Sequence, residues 1–389
     1  MKYNFDEVIP RKGTACFKYD ALKMIYGRDD LLPLWVADMD FAVAPQIQEA
    51  LRRRWEHPIH GYNLHSDNYY QAITSWTARR YDWETRREWI INTPGVVPAL
   101  NMAILALTKP NDKILIQTPV YAPFHSSVLE QGRGLLTSPM IPAKEEWEID
   151  FDDFEQKASQ AKMFILCNPH NPVGRVFREE ELLRMGEICL RHGVTIFSDE
   201  IHADIVYHGY RHTPIASLGD LGRITITSFS PAKSFNLAGL STALAVCSDP
   251  ELFRALNDLN NKLYLYMGNS FGISALTAAY NDSEDWLETL VAYLQGNRDY
   301  IHEYIKVNLP GLKTWEPQGT YLTWVDFSGL GVSEETLQNQ LLNDAKLALD
   351  HGSKFGEDYT LFRRINYGAP RSVIIDAMQR ISMITDKIQ

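Results

Sequence analysis

An α/β fold, with a mostly parallel sheet flanked by helices and a smaller α+β unit beside it, is what this sequence predicts. Between about residues 95 and 250, short β-rich apolar runs alternate with amphipathic stretches, the pattern of parallel strands joined by helices. Polar residues with chemical potential recur a few positions past the ends of those runs, where open α/β sheets take their ligands. Beyond Pro310-Gly311 the pattern changes to strand, helix, strand, helix. A chain of 389 residues is long for one simple core, and two domains are expected.

The elements follow in order. The first 45 or so residues are irregular and contain prolines, and they are expected to pack onto the C-terminal unit. TPGVVPALNMAILALT reads as a glycine-containing loop opening a helix, with the amides of Gly95, Val96 and Val97 at its positive end. Strands are expected at 113–117 (KILIQ), 163–167 (MFILC), 194–198 (VTIFS), 223–228 (RITITS) and 243–247 (ALAVC). EELLRMGEICLRH is a helix closed by Gly193. A long amphipathic helix around 283–308 bridges to the C-terminal region, with Gly296 marking a kink. After it come the strand TYLTWVDF, a helix over ETLQNQLLNDAKLAL, the strand LFRRINYG and a last helix.

Composition removes several function classes. A formal net charge of -11 disfavours nucleic-acid binding, which needs a basic face. No window approaches the roughly 20 apolar residues of a membrane span. The opening MKYNFDEVIPRKG has none of the features of a signal peptide. Cys16, Cys167, Cys189 and Cys247 are scattered with no CxxC, so they read as free thiols of a cytoplasmic protein. His57 with His60, and His208 with His212, lack companion ligands for a metal. There is no GxGxxG, Walker loop, nucleophile elbow or HExxH.

What remains is an amine, a carboxylate and an amide, each just past a strand: Lys233 in TSFSPAKSFNLAGL, Asp199 in VTIFSDEIH and Asn171 in LCNPHNPVG. Together they could serve one pyridine ring. A lysine can hold an aldehyde cofactor as a Schiff base, a carboxylate can keep the ring nitrogen protonated, and an amide can bond the ring's 3-oxygen. Such a lysine needs a lowered pKa, which its small and apolar neighbours favour. Of the pair Asp199 and Glu200 only one can face the ring, since adjacent strand residues point to opposite faces. Asp199 lies one β-α-β unit before Lys233 and is the expected one; His202, on the next turn, could orient it through a hydrogen bond. Arg363 and Arg364 adjoin in LFRRINYG, and Arg364 is taken as a bidentate carboxylate clamp.

These motifs, with LPLWVADMDF, the HGY at 60–62, TPVYAPF, SDEIHADI, GTYLTWVDFS and FRRINYGAP, resemble the fold-type I pyridoxal 5'-phosphate (PLP) enzymes of the class I/II aminotransferase superfamily. The likeness is to the MalY/PatB-type branch of cystathionine β-lyases, or C-S lyases, and spans nearly the whole chain. It implies a large PLP-binding domain at 46–285 with a seven-stranded sheet, and a small domain made from 1–45 and 286–389. It also implies that Lys233 binds the cofactor, Asp199 partners the ring nitrogen and Asn171 the 3-oxygen. Tyr121 would stack on the ring, and Val96, Val97 and Ser230 would hold the phosphate, joined by Tyr62 from the partner subunit of a homodimer; Arg364 would bind the substrate's carboxylate. Two departures separate the chain from ordinary aminotransferases: His202 replaces a tyrosine, and Ser241 a basic residue. They favour β-elimination of sulfur amino acids such as L-cystathionine, cysteine and cystine, giving a thiol, pyruvate and ammonia. An aminotransferase, and a PLP-holding regulatory or interaction protein, are the alternative readings.

Overall fold

A computed structural model describes residues 2–385. Its largest sheet has seven strands: β1 (Ile90–Thr93), β2 (Lys113–Thr118), β3 (Gly134–Pro139), β4 (Met163–Cys167), β5 (Thr195–Asp199), β6 (Thr225–Phe229) and β7 (Ala243–Val246). The spatial order is β3-β2-β4-β5-β6-β7-β1, and only β7 runs antiparallel to its neighbours. The central strands are buried on both faces, as in parallel sheets generally. Sequence periodicity had no strong signal for β1 and β3: the first is four residues long and the second, at the sheet edge, is only half-buried.

Helix α1 (Val96–Leu107) begins at Gly95 and buries Ala99, Leu100, Ala103 and Ile104 against the sheet. Helix α2 (Glu179–His192) ends at Gly193, whose φ of 65° is the left-handed conformation a C-terminal glycine supplies. The 25-residue helix α3 (Glu284–Asn308) is continuous through Gly296. The glycine makes room for Arg371: a Cβ at position 296 would lie 2.9 Å from its Nη2.

The second sheet has four strands, β8 (Lys313–Thr314), β9 (Leu322–Asp326), β10 (Asp350–His351) and β11 (Phe362–Asn366), in the order β8-β9-β11-β10. The helix expected over ETLQNQLLNDAKLAL stops early. Its first part, Glu334–Asn339, is α-helical and Gln340–Asp344 forms a π-helical turn. Lys346 then takes a left-handed φ of 50°, and Leu347–Ala348 pairs in parallel with Leu32–Pro33. Burial of Leu347 and Ala348 against the N-terminal segment overrides their helical propensity. That pairing also ties the irregular N-terminal stretch to the second sheet.

Candidate active site

The register of the large sheet aligns Cys167, Asp199 and Ser228 on three neighbouring parallel strands. At this carboxyl edge Val96, Val97, Tyr121, Asn171, Asp199, His202, Ser230 and Lys233 line one cavity of about 210 Å³. Residues far apart in the chain meet here because each follows a different strand or opens the helix beside it. Strand alternation separates the acid pair as expected. Asp199 faces the cavity, while Glu200 is buried elsewhere, bonded to Ser198 Oγ (2.8 Å) and His212 Nε2 (2.8 Å).

Lys233 sits on a one-turn helix, Pro231–Ser234, whose N-cap is Ser230. The residue has surface facing the cavity, but its amine is enclosed by protein and donates to Ala37 O at 2.5 Å. That enclosure, with repulsion from Arg364, lowers its pKa to about 8, opposed by Asp38 and Asp199. Asp204 fixes the turn from behind: its buried carboxylate accepts from Ser234 Oγ (2.7 Å), Trp76 Nε1 (3.0 Å) and the Tyr81 hydroxyl.

Asp199 is 4% exposed, and its Oδ1 accepts from the Ile201 amide at 3.1 Å. Among the described residues no basic side chain is within ion-pair distance of it. Burial pushes its pKa up to about 7, against the Ile201 amide and the more distant Lys233. A buried carboxylate in that position gains most from a cationic N–H supplied by a ligand. The expected bond from His202 is not what holds it. The Nδ1 of His202 is buried without a partner, and the ring packs edge-on to Tyr321 at 5.7 Å. Burial, Lys233 and Arg364 hold this imidazole well below its ordinary pKa, so it is neutral.

The cavity is also lined by Gly95, Val96 and Val97 at the start of α1, together with Ser230, Ser241 and Thr242. The leading amides of a helix have no intrahelical acceptors, so they are open to an anion. Ser230 also works as a cap: its hydroxyl donates to Thr242 O (2.7 Å) and accepts from the Ala232 amide (3.0 Å). Among the described residues Lys233 is the one Lys or Arg side chain lining the cavity.

Arg364 stands behind Asn171, donating from Nη1 to its Oδ1 at 3.1 Å. That bond turns the NH₂ of Asn171 away from the arginine. Nη2 donates to Trp35 O (2.8 Å) and Asp350 Oδ2 (2.7 Å). Arg363 is on the other face of β11 but is also buried, bonded to Thr360 O, Glu334 and Gln338, and is not the exposed neighbour that alternation suggested. Tyr62 lies outside the cavity and is 94% exposed, in a surface groove with Arg54 and His57.

Sequence reasoning missed the strap formed by residues 35–41. Ala37 O takes hydrogen bonds from Lys233 and from Tyr321 Oη (2.9 Å), and Asn366 Nδ2 donates to Val36 O and Asp38 O, each at 2.6 Å. Asn236, at φ 57°, binds Met39 and Phe41 through its side chain. Below the strap Arg11 pairs with Asp38 and Asp40 (2.6 Å each), and the fully buried Lys18 pairs with Asp40 at 2.7 Å. The one sequence signal was the run LPLWVADMDF itself, which carries two carboxylates in an apolar setting.

Comparison with known proteins gives the same picture at larger scale. The family model described as aminotransferase class I and II matches residues 29–381. Cystathionine beta-lyase PatB of Bacillus subtilis (strain 168) is 40% identical over 382 residues, covering 97% of this chain and 98% of that protein. A PLP-bound putative aminotransferase from Clostridium difficile 630 superposes with a TM-score of 0.96 at 44% identity, covering 98% and 100% of the two chains. The PLP-bound C-S lyase from Staphylococcus hominis gives 0.90 at 33% identity, covering 98% and 97%.

Proposed function

The chain belongs to the aminotransferase class I and II family, and on that footing we propose that it cleaves L-cystathionine, cysteine and cystine by β-elimination to a thiol, pyruvate and ammonia. It is a PLP-dependent carbon–sulfur β-lyase. The residues fit the cofactor: the cavity holds an enclosed amine, a buried carboxylate lacking a cation, and a helix N-terminus open to an anion. When bound, PLP supplies an aldehyde for amine capture and a ring that accepts the electron pair released at the substrate's Cα.

The residues then divide the work. Asp199 would hold a proton on the ring nitrogen, and the Asn171 amide, braced by Arg364, would donate to the 3-oxygen. Tyr121 covers the ring face. Val96 and Val97 would hold the phosphate through their amides, and Ser230 through its hydroxyl, whose one proton would turn to the phosphate from Thr242 O. His202, neutral and with a free Nδ1, lies along the same wall as a polar contact that adds no charge. Arg364 would bind the substrate's carboxylate and so orient the bonds at Cα. Lys233 Nζ, once free, takes the Cα proton, and its lowered pKa suits it to do so near neutrality. The sulfur leaves from Cβ as thiolate, which is homocysteine when the substrate is cystathionine and places the enzyme in sulfur amino acid metabolism, at a step toward methionine.

The same reading makes the protein a cytoplasmic homodimer with shared sites, the partner subunit's Tyr62 completing the phosphate end. The exposed cluster Trp55, Ile59, Tyr62 and Leu64 supports this, since large apolar groups gathered on a surface mark interfaces. It also divides the chain into a PLP-binding domain at 46–285 and a small domain from 1–45 and 286–389, in keeping with the pairing of Leu32–Pro33 and Leu347–Ala348.

The observation that carries the reading is Lys233 and Asp199 lining one cavity, with no ion pair to either among the described residues. The test incubates purified protein with cystathionine, cystine and cysteine and measures pyruvate and thiol, with and without prior borohydride reduction. Pyruvate formed without any keto acid, and abolished by reduction, is the expected result. Amino transfer that requires a keto acid would overturn it.

A further inference from the structure

The guanidinium assigned to the substrate's carboxylate already holds a carboxylate of its own. Asp350 faces Arg364 directly across the β10–β11 ladder, and its Oδ2 accepts from Nη2 at 2.7 Å. An arginine has five N–H donors. Here Nη1 reaches Asn171, Nη2 reaches Trp35 O and Asp350, and the buried Nε has no partner. The fork is therefore pinned in one plane with two donors unused, the Nε–H and the second N–H of Nη1.

Pinning by an anion has a drawback for a clamp. Asp350 and Arg364 alone sum to zero, and a second carboxylate would arrive beside an existing negative charge. Lys354 alters that sum. It follows Asp350 by four residues, and its Nζ meets the other carboxylate oxygen, Oδ1, at 3.0 Å. The three side chains together carry one net positive charge. The loop holds Lys354 there by close packing: a Cβ on Gly352 would lie 1.9 Å from Tyr359 O, and the next residue, Phe355, places its ring 5.0 Å from the Arg364 guanidinium.

We propose that Asp350 and Lys354 are positioning residues for carboxylate capture: Asp350 orients Arg364, and Lys354 neutralises Asp350 so that the guanidinium's charge remains available to the substrate. The proposal rests on the reading of Arg364 as the carboxylate clamp. Lys354 is the informative position, because its side chain is 46% exposed and its removal leaves the core intact.

The test titrates holoenzyme spectroscopically with L-alanine, which has the amino acid head but no leaving group, and with L-alaninamide, which lacks the carboxylate. Lys354→Met is expected to raise the dissociation constant for L-alanine about three- to fivefold, as for a partly exposed charge pair, and to leave L-alaninamide unchanged. With cystathionine the change falls in KM rather than kcat, and Lys354→Arg restores the wild-type values. In an Asp350→Asn background, where no anion needs compensating, Lys354→Met has no further effect. Equal weakening of both ligands, no change with L-alanine, or a loss that persists in the Asp350→Asn background would each overturn the proposal. Arg364→Lys separates it from the clamp reading. If that variant fails to weaken L-alanine selectively, the clamp assignment is wrong; if it does and Lys354→Met does not, only the present inference falls.

Discussion

Two carboxylate sites in this protein, one with a half-buried and a buried aspartate and one with a single buried aspartate, are treated in opposite ways. Asp38 and Asp40, under the strap, are met by Arg11 and by the fully buried Lys18. Asp199, at the sheet edge, has one backbone amide and no cation. A buried charge is costly unless paired, so the first group is complete as folded and the second is left for a ligand to complete. The contrast teaches that lack of a partner, more than burial, marks the functional carboxylate.

Four measurements would break or sharpen that contrast. The largest effect belongs to the amine beside Asp199: Lys233→Ala should lower pyruvate release by at least about 10³-fold, since it removes both the covalent anchor and the base. Retention of more than a few per cent of the rate would detach the cavity from the chemistry. Lys18→Met should act on stability, by about 1.5–3 kcal/mol, because it removes one of the two cations that meet the buried Asp40 and leaves Arg11 as the other. Denaturant unfolding measures this, and an unchanged midpoint would mean the strap cluster is not the structural member of the comparison. Asp199→Asn should leave the unfolding midpoint within about 1 kcal/mol, as for substitutions that break no internal pair, while slowing turnover by about 10²-fold. Loss of stability comparable to Lys18→Met would erase the distinction. The smallest effect is in pH. The amine must be neutral to attack an aldehyde, and its pKa of about 8 lies below that of an ordinary lysine. PLP capture by the apoprotein should therefore speed up about tenfold per pH unit below that value and level off above it. A rate still rising at pH 10 would show an unperturbed lysine.

The central strands and the residues just after them were legible because strand, loop and polar residue are neighbours in sequence. MFILC, for instance, is a buried strand at the expected positions, and Asn171 follows it into the cavity. What could not be read depends on contacts between distant segments. Nothing local in WVADMD says that Ala37 O will meet an amine 196 residues later. Leu347–Ala348 reads as helix until Leu32–Pro33 is alongside, and Asp350 gains its meaning from Arg364 across a ladder. His202 shows the same limit on a smaller scale: its place on the wall was predictable, but its packing against Tyr321 was not.

The strap has a consequence for how the protein matures. The carbonyl that seats the Lys233 amine belongs to residue 37 and also accepts from Tyr321, and its neighbours are held by Asn236, Arg364 and Asn366. A chain emerging from the ribosome has the lysine and the aspartate long before it has the last of these. The vitamin-derived aldehyde should thus be captured productively only after synthesis is nearly finished, so that loading with cofactor certifies a completed polypeptide.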